Sequence, residues 1–152
     1  MPTFRLTTVI EAPAAACFDL SLSVDAHTAS MGPSGERAVA GTLSGTMGLH
    51  DTVTWEARHF GIPFRMTSAI IACEPSARFV DEQQRGPFGR WHHEHLFTDL
   101  GPATTSMVDV VDFASPLGPI GRAVDALVLT RYMRKLMIQR NVWLKSELER
   151  RP

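Results

Sequence analysis

The sequence predicts an α+β fold on three observations. Residues 3–10 and 37–114 alternate polar and apolar with a period of two, and tight Gly/Pro turns cut the second stretch into short runs. After Pro119 the apolar spacing changes to three and four. Period two puts alternate side chains on opposite faces of a strand, whereas three-and-four spacing aligns them along one helical stripe. The resulting order is a strand, two short helices, a meander of further strands and one long terminal helix. About 6–7 antiparallel strands are expected in all.

Each element follows in turn. Thr3 to Ile10 sets Phe4, Leu6, Thr8 and Ile10 against Arg5, Thr7 and Val9, a half-buried strand. Ala12-Pro13 ends it, and Pro13 suits the start of a helix, where its missing N–H would be unpaired anyway. Ala14 to Ser23 supplies that helix, with Cys17, Phe18, Leu20 and Leu22 inward. Asp25 is the expected N-cap of a second helix reaching about Met31, and Gly32-Pro33-Ser34-Gly35 then turns the chain.

The meander starts at Arg37–Thr42. Asp51–Phe60 follows, with Val53, Trp55, Ala57 and His59 on one face. Gly61-Ile62-Pro63 turns into a strand carrying Phe64, Met66, Ser68 and Ile70. Glu74-Pro75-Ser76-Ala77 leads to Arg78–Arg85, which aligns Phe79, Asp81 and Gln83. Gly86-Pro87-Phe88-Gly89 turns again into Arg90–Thr98, which aligns Trp91, His93, His95 and Phe97. Gly101-Pro102 opens the last strand, Thr104–Ala114. Beyond the Ser115-Pro116-Leu117-Gly118-Pro119 turn, apolar residues recur at Ile120, Val124, Leu127, Val128, Tyr132, Leu136 and Trp143. Leu144 and Leu148 widen the stripe. A helix of about 30 residues would run roughly 45 Å.

Composition narrows the function. The 152 residues are 44% hydrophobic and 20% charged, with a formal net charge of -1. That length predicts a single domain over residues 1–152, able to bury a core without a disulfide or metal staple. A nucleic-acid binder normally carries a strong basic excess, so none is expected. The neutrality averages two unequal parts: residues 122–152 hold 8 Lys+Arg against 3 Asp+Glu, leaving 7 against 13 in the rest. Residues 1–11 lack the apolar run of a secretory leader, and no apolar run is long enough to span a membrane. Cys17 and Cys73 lie in apolar surroundings and read as two buried, reduced thiols of a cytoplasmic protein. With no Gly-x-Gly-x-x-Gly, P-loop or Gly-x-Ser-x-Gly elbow, no nucleotide cofactor or serine nucleophile is expected.

The residues resemble a family. Val9-Ile10-Glu11-Ala12-Pro13 followed by Ala16-Cys17-Phe18-Asp19-Leu20 is similar to the entry of the START/Bet v 1-like superfamily (SRPBCC), particularly its bacterial polyketide cyclase/dehydrase-like branch. Arg78-Phe79-Val80-Asp81-Glu82-Gln83, Gly86-Pro87-Phe88 and Trp91-x-His93-x-His95-x-Phe97 resemble the middle of those proteins. So does Asp109 with Pro116-Leu117-Gly118-Pro119-Ile120-Gly121 ahead of the terminal helix. The resemblance runs almost end to end. It implies the helix-grip fold, a curved antiparallel sheet wrapped around a long C-terminal helix with a cavity between them. It also implies a hydrophobic-ligand carrier or an aromatase/cyclase, and it does not choose between them.

Under that fold, Trp55, Phe64, Met66, Ile70, Phe79, Trp91, Phe97 and Phe113 should face inward from the sheet. Tyr132, Met133, Leu136 and Met137 should meet them from the helix. Solid core and cavity wall are both open readings for each. Alternation also places His59, Ser68, Asp81, Gln83, His93, His95 and Asp109 inside. Burying an unpaired ion is costly, so histidine–aspartate pairing is expected.

Those polar residues form a closed hydrogen-bond network, a ligand-contacting patch, or a proton shuttle drawn from His93, His95, Asp81 and Asp109. His93 and His95 share a face about 6.6 Å apart along the strand. A third ligand such as His59, Asp81 or Asp109 would be needed to hold a metal, and no metal is expected. Phe88 is either a gate at the cavity mouth or an aromatic on an exposed hairpin. Arg131, Arg134, Lys135, Arg140 and Lys145 read as a solvated helix face, Arg131 being the one placed to meet a ligand carboxylate. The leading expectation is a carrier of a small hydrophobic, aromatic or polyketide-like molecule. A cyclase, aromatase or dehydratase, or an interaction module that pairs with a partner or a second copy, are the alternatives.

Overall fold

In a computed structural model, residues 3–115 and 118–150 are described, without the side chains of residues 33 and 124–126. The element order is β1 (Thr3–Ile10), α1 (Ala14–Ser21), α2 (Val24–Ser30), β2 (Arg37–Gly41), β3 (Thr52–His59), β4 (Ile62–Glu74), β5 (Arg78–Arg85), β6 (Arg90–Gly101) and β7 (Thr104–Ala114). α3 (Gly118–Val124), a π turn (Asp125–Leu129) and α4 (Thr130–Arg150) complete it. The seven strands form one antiparallel sheet in the order β1-β7-β6-β5-β4-β3-β2. β2 to β7 is thus a plain meander, while α1 and α2 carry the chain from one sheet edge to the other. Register shifts at Ala38/Ala40, Thr67/Ser68, Ile70/Ala72 and Asp99/Gly101 insert bulges, which bend and twist strands. The curved sheet closes on α4: this is the helix-grip fold.

Two apolar clusters hold the layers together. In one, Cys17 and Phe18 of α1 pack with Ile10, Phe79, Phe97, Met107, Leu144 and Leu148. Phe18 meets Phe79 and Phe97 edge-on, with centroids 5.7 and 5.6 Å away. In the other, Met133, Leu136 and Met137 of α4 pack on Phe4, Leu6, Trp91, Val111 and Phe113. Full burial of each such side chain contributes about 1.5–3 kcal/mol, so α4 is fastened at both ends. Between the clusters the packing is incomplete, and that gap is the cavity.

The strand faces follow the alternation, and β1, β5 and β7 span the residues the pattern predicts. Three local expectations need correction. The N-cap of α2 is Ser23, whose Oγ accepts from Ala26 N at 3.1 Å; Asp25 instead accepts from Gly45 N at 2.9 Å. The β3–β4 turn is at Phe60-Gly61, both with positive φ, so Ile62 and Pro63 already belong to β4. Cys73 is only partly buried.

The terminal helix is not one continuous stripe. Its π turn adds a residue and rotates everything beyond it by roughly 100°. Ile120, Leu127 and Val128 are therefore exposed, and the buried stripe is Met133, Leu136, Met137, Arg140, Asn141, Leu144 and Leu148. Arg140, expected on the solvated face, is inside. Pro116 and Leu117 of the expected turn, and the Val124 side chain, lie outside the described residues.

Candidate functional site

The cavity has an apolar outer chamber and a polar inner one. The outer chamber, about 240 Å³, lies between the inner face of the sheet and α4. β3 supplies Trp55, Ala57 and His59, and β4 supplies Phe64 and Met66. β6 supplies Trp91, the C-cap of α2 supplies Met31, and α4 supplies Tyr132, Met133, Leu136 and Met137. Phe60, Pro87 and Phe88 line it from the two hairpins.

Phe60 holds φ 55°, a left-handed conformation unfavourable for a bulky residue, and its ring packs 4.5 Å from that of Tyr132. His59 Nδ1 and Tyr132 Oη share a hydrogen bond at 2.7 Å, tying β3 to α4. Burial pushes the His59 imidazole down and the Tyr132 phenol up, so both favour their neutral forms. Phe88 is partly buried against Trp91, 5.2 Å between centroids, so it is not an exposed hairpin aromatic.

The inner chamber, about 80 Å³, continues past Trp55, Met66 and Met137. His27 and Glu36, paired at 2.6 Å, border both chambers. Deeper in, Ser68, Asp81, His93, His95 and Arg140 line the wall. Antiparallel register brings these residues together: Asp81 pairs with His93 across β5–β6, and His95 with Asp109 across β6–β7. The two imidazoles stack with centroids 3.7 Å apart.

Asp109, with no exposed surface, is the hub. Its Oδ1 accepts from His93 Nε2 at 2.8 Å and Arg140 Nη1 at 3.2 Å, and its Oδ2 from Asn141 Nδ2 at 2.7 Å. Asp81 Oδ2 lies 2.7 Å from His95 Nε2 and 3.7 Å from His93 Nδ1. Among the described residues, Ser68 Oγ is a buried polar atom with no hydrogen-bond partner.

The electrostatics follow from this arrangement. Burial opposes charge on Asp109, but the Arg140 guanidinium and the hydrogen bond from His93 hold its carboxyl well below the usual range. Burial likewise opposes charge on Asp81, yet His93, the hydrogen bond from His95 and Arg140 outweigh it, lowering Asp81 to about 2. Burial, reinforced by the neighbouring His95, depresses His93 to about 4 against the pull of both carboxylates. His93 is therefore neutral at pH 7. An ionised Asp109 can only accept, so the His93 proton sits on Nε2 and its Nδ1 is left as an acceptor.

Most sequence candidates converge here. Trp55, His59, Phe64, Met66, Trp91, Tyr132, Met133, Leu136 and Met137 line the outer chamber, and Ser68, Phe79, Asp81, His93 and His95 the inner one. Three do not. Gln83 clasps the β5–β6 hairpin, donating from Nε2 to Phe88 O at 2.8 Å and accepting from Phe88 N at 3.2 Å. That clasp needs Gly86, where a Cβ would stand 2.4 Å from Gln83 Oε1. Phe113 is wholly buried behind Phe4 and Trp91. Arg131 is exposed and lines neither chamber, because the π turn rotates it outward.

The sequence reading missed Arg140, Asn141, His27 and Glu36. A signal existed for two of them: Arg140 stands four residues after Leu136 and four before Leu144, and Asn141 four after Met137 and three before Leu144.

No protein-family model matches the chain, and no curated protein matches it. Solved structures do. The Zhui aromatase/cyclase from a Streptomyces species is 16% identical with a TM-score of 0.75, over 99% of this chain and 94% of that one. A START superfamily protein from Mycobacterium smegmatis is 16% identical with a TM-score of 0.73, over 97% of each chain. A major latex-like protein from Panax ginseng is 12% identical with a TM-score of 0.70, again over 97% of each. These likenesses bear out, at the level of fold, the START/Bet v 1-like resemblance read from the sequence.

Proposed function

We propose that the chain, acting as one domain in the cytoplasm, binds a small, largely apolar molecule of one or two fused rings between its sheet and α4. The observation that carries this reading is the outer chamber, about 240 Å³ walled by aromatic and methionine side chains. Ligand sites span roughly 300–1,000 Å³, so this one and its polar annex suit a ligand at the small end. Met31, Met66, Met133 and Met137 give the wall unbranched, adaptable side chains. The polar annex would receive one hydrogen-bonding group of the ligand.

The test is calorimetric titration with 2-naphthol, backed by quenching of Trp fluorescence. Wild type is expected to bind. Ala57→Trp and Met133→Trp, which fill the outer chamber from opposite walls, are each expected to weaken binding at least tenfold. No binding by wild type, or equal binding by both filled variants, overturns the reading.

A second reading, an enzyme of cyclase, aromatase or dehydratase type, is favoured by His93. Its acceptor Nδ1 and the Asp81 carboxylate, 3.7 Å apart, border the inner chamber, where a proton could be taken from a bound carbonyl compound. His93→Gln is then expected to abolish turnover of a linear poly-β-ketone while sparing its affinity. Unchanged turnover removes the enzymatic reading.

A further inference from the structure

We propose that Asp81, His93 and His95 form a binding site for a divalent transition-metal ion at the inner end of the cavity. This inference is independent of what fills the outer chamber.

One ligand atom from each of the three residues lies within 4.8 Å of the others. Asp81 Oδ2 is 2.7 Å from His95 Nε2 and 3.7 Å from His93 Nδ1. An ion with bonds of about 2.0–2.2 Å holds its ligand atoms roughly 3–3.5 Å apart. The two separations from Asp81 Oδ2 bracket that range, and the two imidazole ligand atoms lie within 4.8 Å of each other.

The remaining nitrogens matter as much. His93 Nε2 donates to Asp109 Oδ1 at 2.8 Å, and His95 Nδ1 lies 3.3 Å from that same oxygen and 3.4 Å from Arg140 Nη2. Metal-binding histidines characteristically give their other N–H to a carboxylate, which sets the tautomer and the ring orientation. Asp109 is itself fixed by Arg140 and Asn141. Each imidazole therefore has one nitrogen oriented by Asp109 and the other aimed at Asp81. On metal binding, the His95 proton moves from Nε2 to Nδ1, the Arg140 Nη2 contact to Nδ1 gives way, and Asp109 Oδ1 accepts the proton, so no net proton is released.

An ion here would keep an open position. All three residues line the inner chamber of about 80 Å³, large enough for water. The buried, unpartnered Ser68 hydroxyl lines the same space and would gain that water as a partner.

Charge is compatible. Asp81 and Asp109 against Arg140 leave one negative charge, so a divalent ion plus one anionic oxygen ligand makes the cluster neutral. Two imidazoles and one carboxylate suit zinc, iron(II) or cobalt(II) better than the all-oxygen preference of magnesium or calcium.

The experiment titrates the untagged, chelator-stripped chain with Co2+ while recording visible absorption, then competes with Zn2+. Expected are a single ion per chain and the strong d–d bands of a low-coordinate site, lost on adding Zn2+. Asp81→Asn keeps an oxygen for the His95 hydrogen bond, so the fold is retained. It is expected to weaken Co2+ binding by at least the roughly 10–100-fold that loss of an outer-shell partner alone produces. His92→Gln, on the opposite sheet face and paired with Glu82 at 2.7 Å, is expected to leave binding unchanged. Absence of those bands in wild type, Asp81→Asn binding as tightly as wild type, or loss of binding in His92→Gln each overturns the proposal. Failure of 2-naphthol to bind would leave it standing.

Discussion

Asp109 shows what one residue can hold. It is fully buried and ionised, and three side chains from β6 and α4 donate to it. Removing one partner of such a group strands the other charge in the interior, at a cost of about 3–5 kcal/mol. Asp109→Ala is therefore expected to lower the unfolding free energy by that amount in denaturant titration. The double variant Asp109→Leu/Arg140→Met, which removes both charges, is expected to recover most of it. Equal destabilisation of the two variants would refute the pairing. Ser68 is the converse case. Its hydroxyl is buried without a partner, a situation costing about 1–3 kcal/mol. In chelator-treated protein, Ser68→Ala is expected to raise stability by about 1 kcal/mol, and a fall would mean the hydroxyl is bonded.

At the scale of elements, the period of the sequence carried far. β1, β5 and β7 span the residues that alternation predicts, because one buried face enforces a period of two. Caps are harder to read, since Ser23 and Asp25 are both good N-cap residues and only geometry separates them. Ser23→Ala is expected to cost about 1 kcal/mol, whereas Asp25→Ala should cost less, its carboxylate reaching Gly45 N in a neighbouring loop. Thermal melts of the two variants decide it. The terminal helix was legible as a helix but not in its facing. A single inserted residue in the π turn rephases every later side chain, and no local preference signals it. Arg131 is turned away from the apolar stripe predicted from Leu127 onward, while Arg140 falls inside by its four-residue spacing to Leu136 and Leu144.

Across the whole molecule, the buried cluster dictates how stability responds to acid. The unfolded chain protonates His93 below about pH 6.5, whereas the folded chain resists until about 4. Between those values the unfolded state binds the extra proton, so stability falls as pH falls, by on the order of 3 kcal/mol for a fully buried group. The depressed Asp81 and Asp109 act in the same direction. Their contribution is present above the unfolded carboxylate value near 3.9 and is lost as pH drops toward their folded values, about 2 for Asp81. With chelator present, the urea midpoint is expected to be level near neutrality and to decline steadily below about pH 6.5. His93→Gln is expected to flatten the upper part of that decline. An unaltered slope in this variant would assign the titration elsewhere.

The sequence by itself determined the α+β order, the strand faces and the inward placement of Asp81, His93, His95 and Asp109. Those are consequences of local periodicity, which survives in any context that buries one face. Only the tertiary structure decided which inward residues line space and which fill it. Gln83 went to a hairpin clasp, Phe113 to solid core, and Arg140 to the carboxylate hub. His27 and Glu36 came to the cavity from segments with no chemical pattern of their own. The reason is physical. Alternation specifies a side, but cavities and ion pairs arise between elements far apart in the chain, where strand register and helix rotation set the distances.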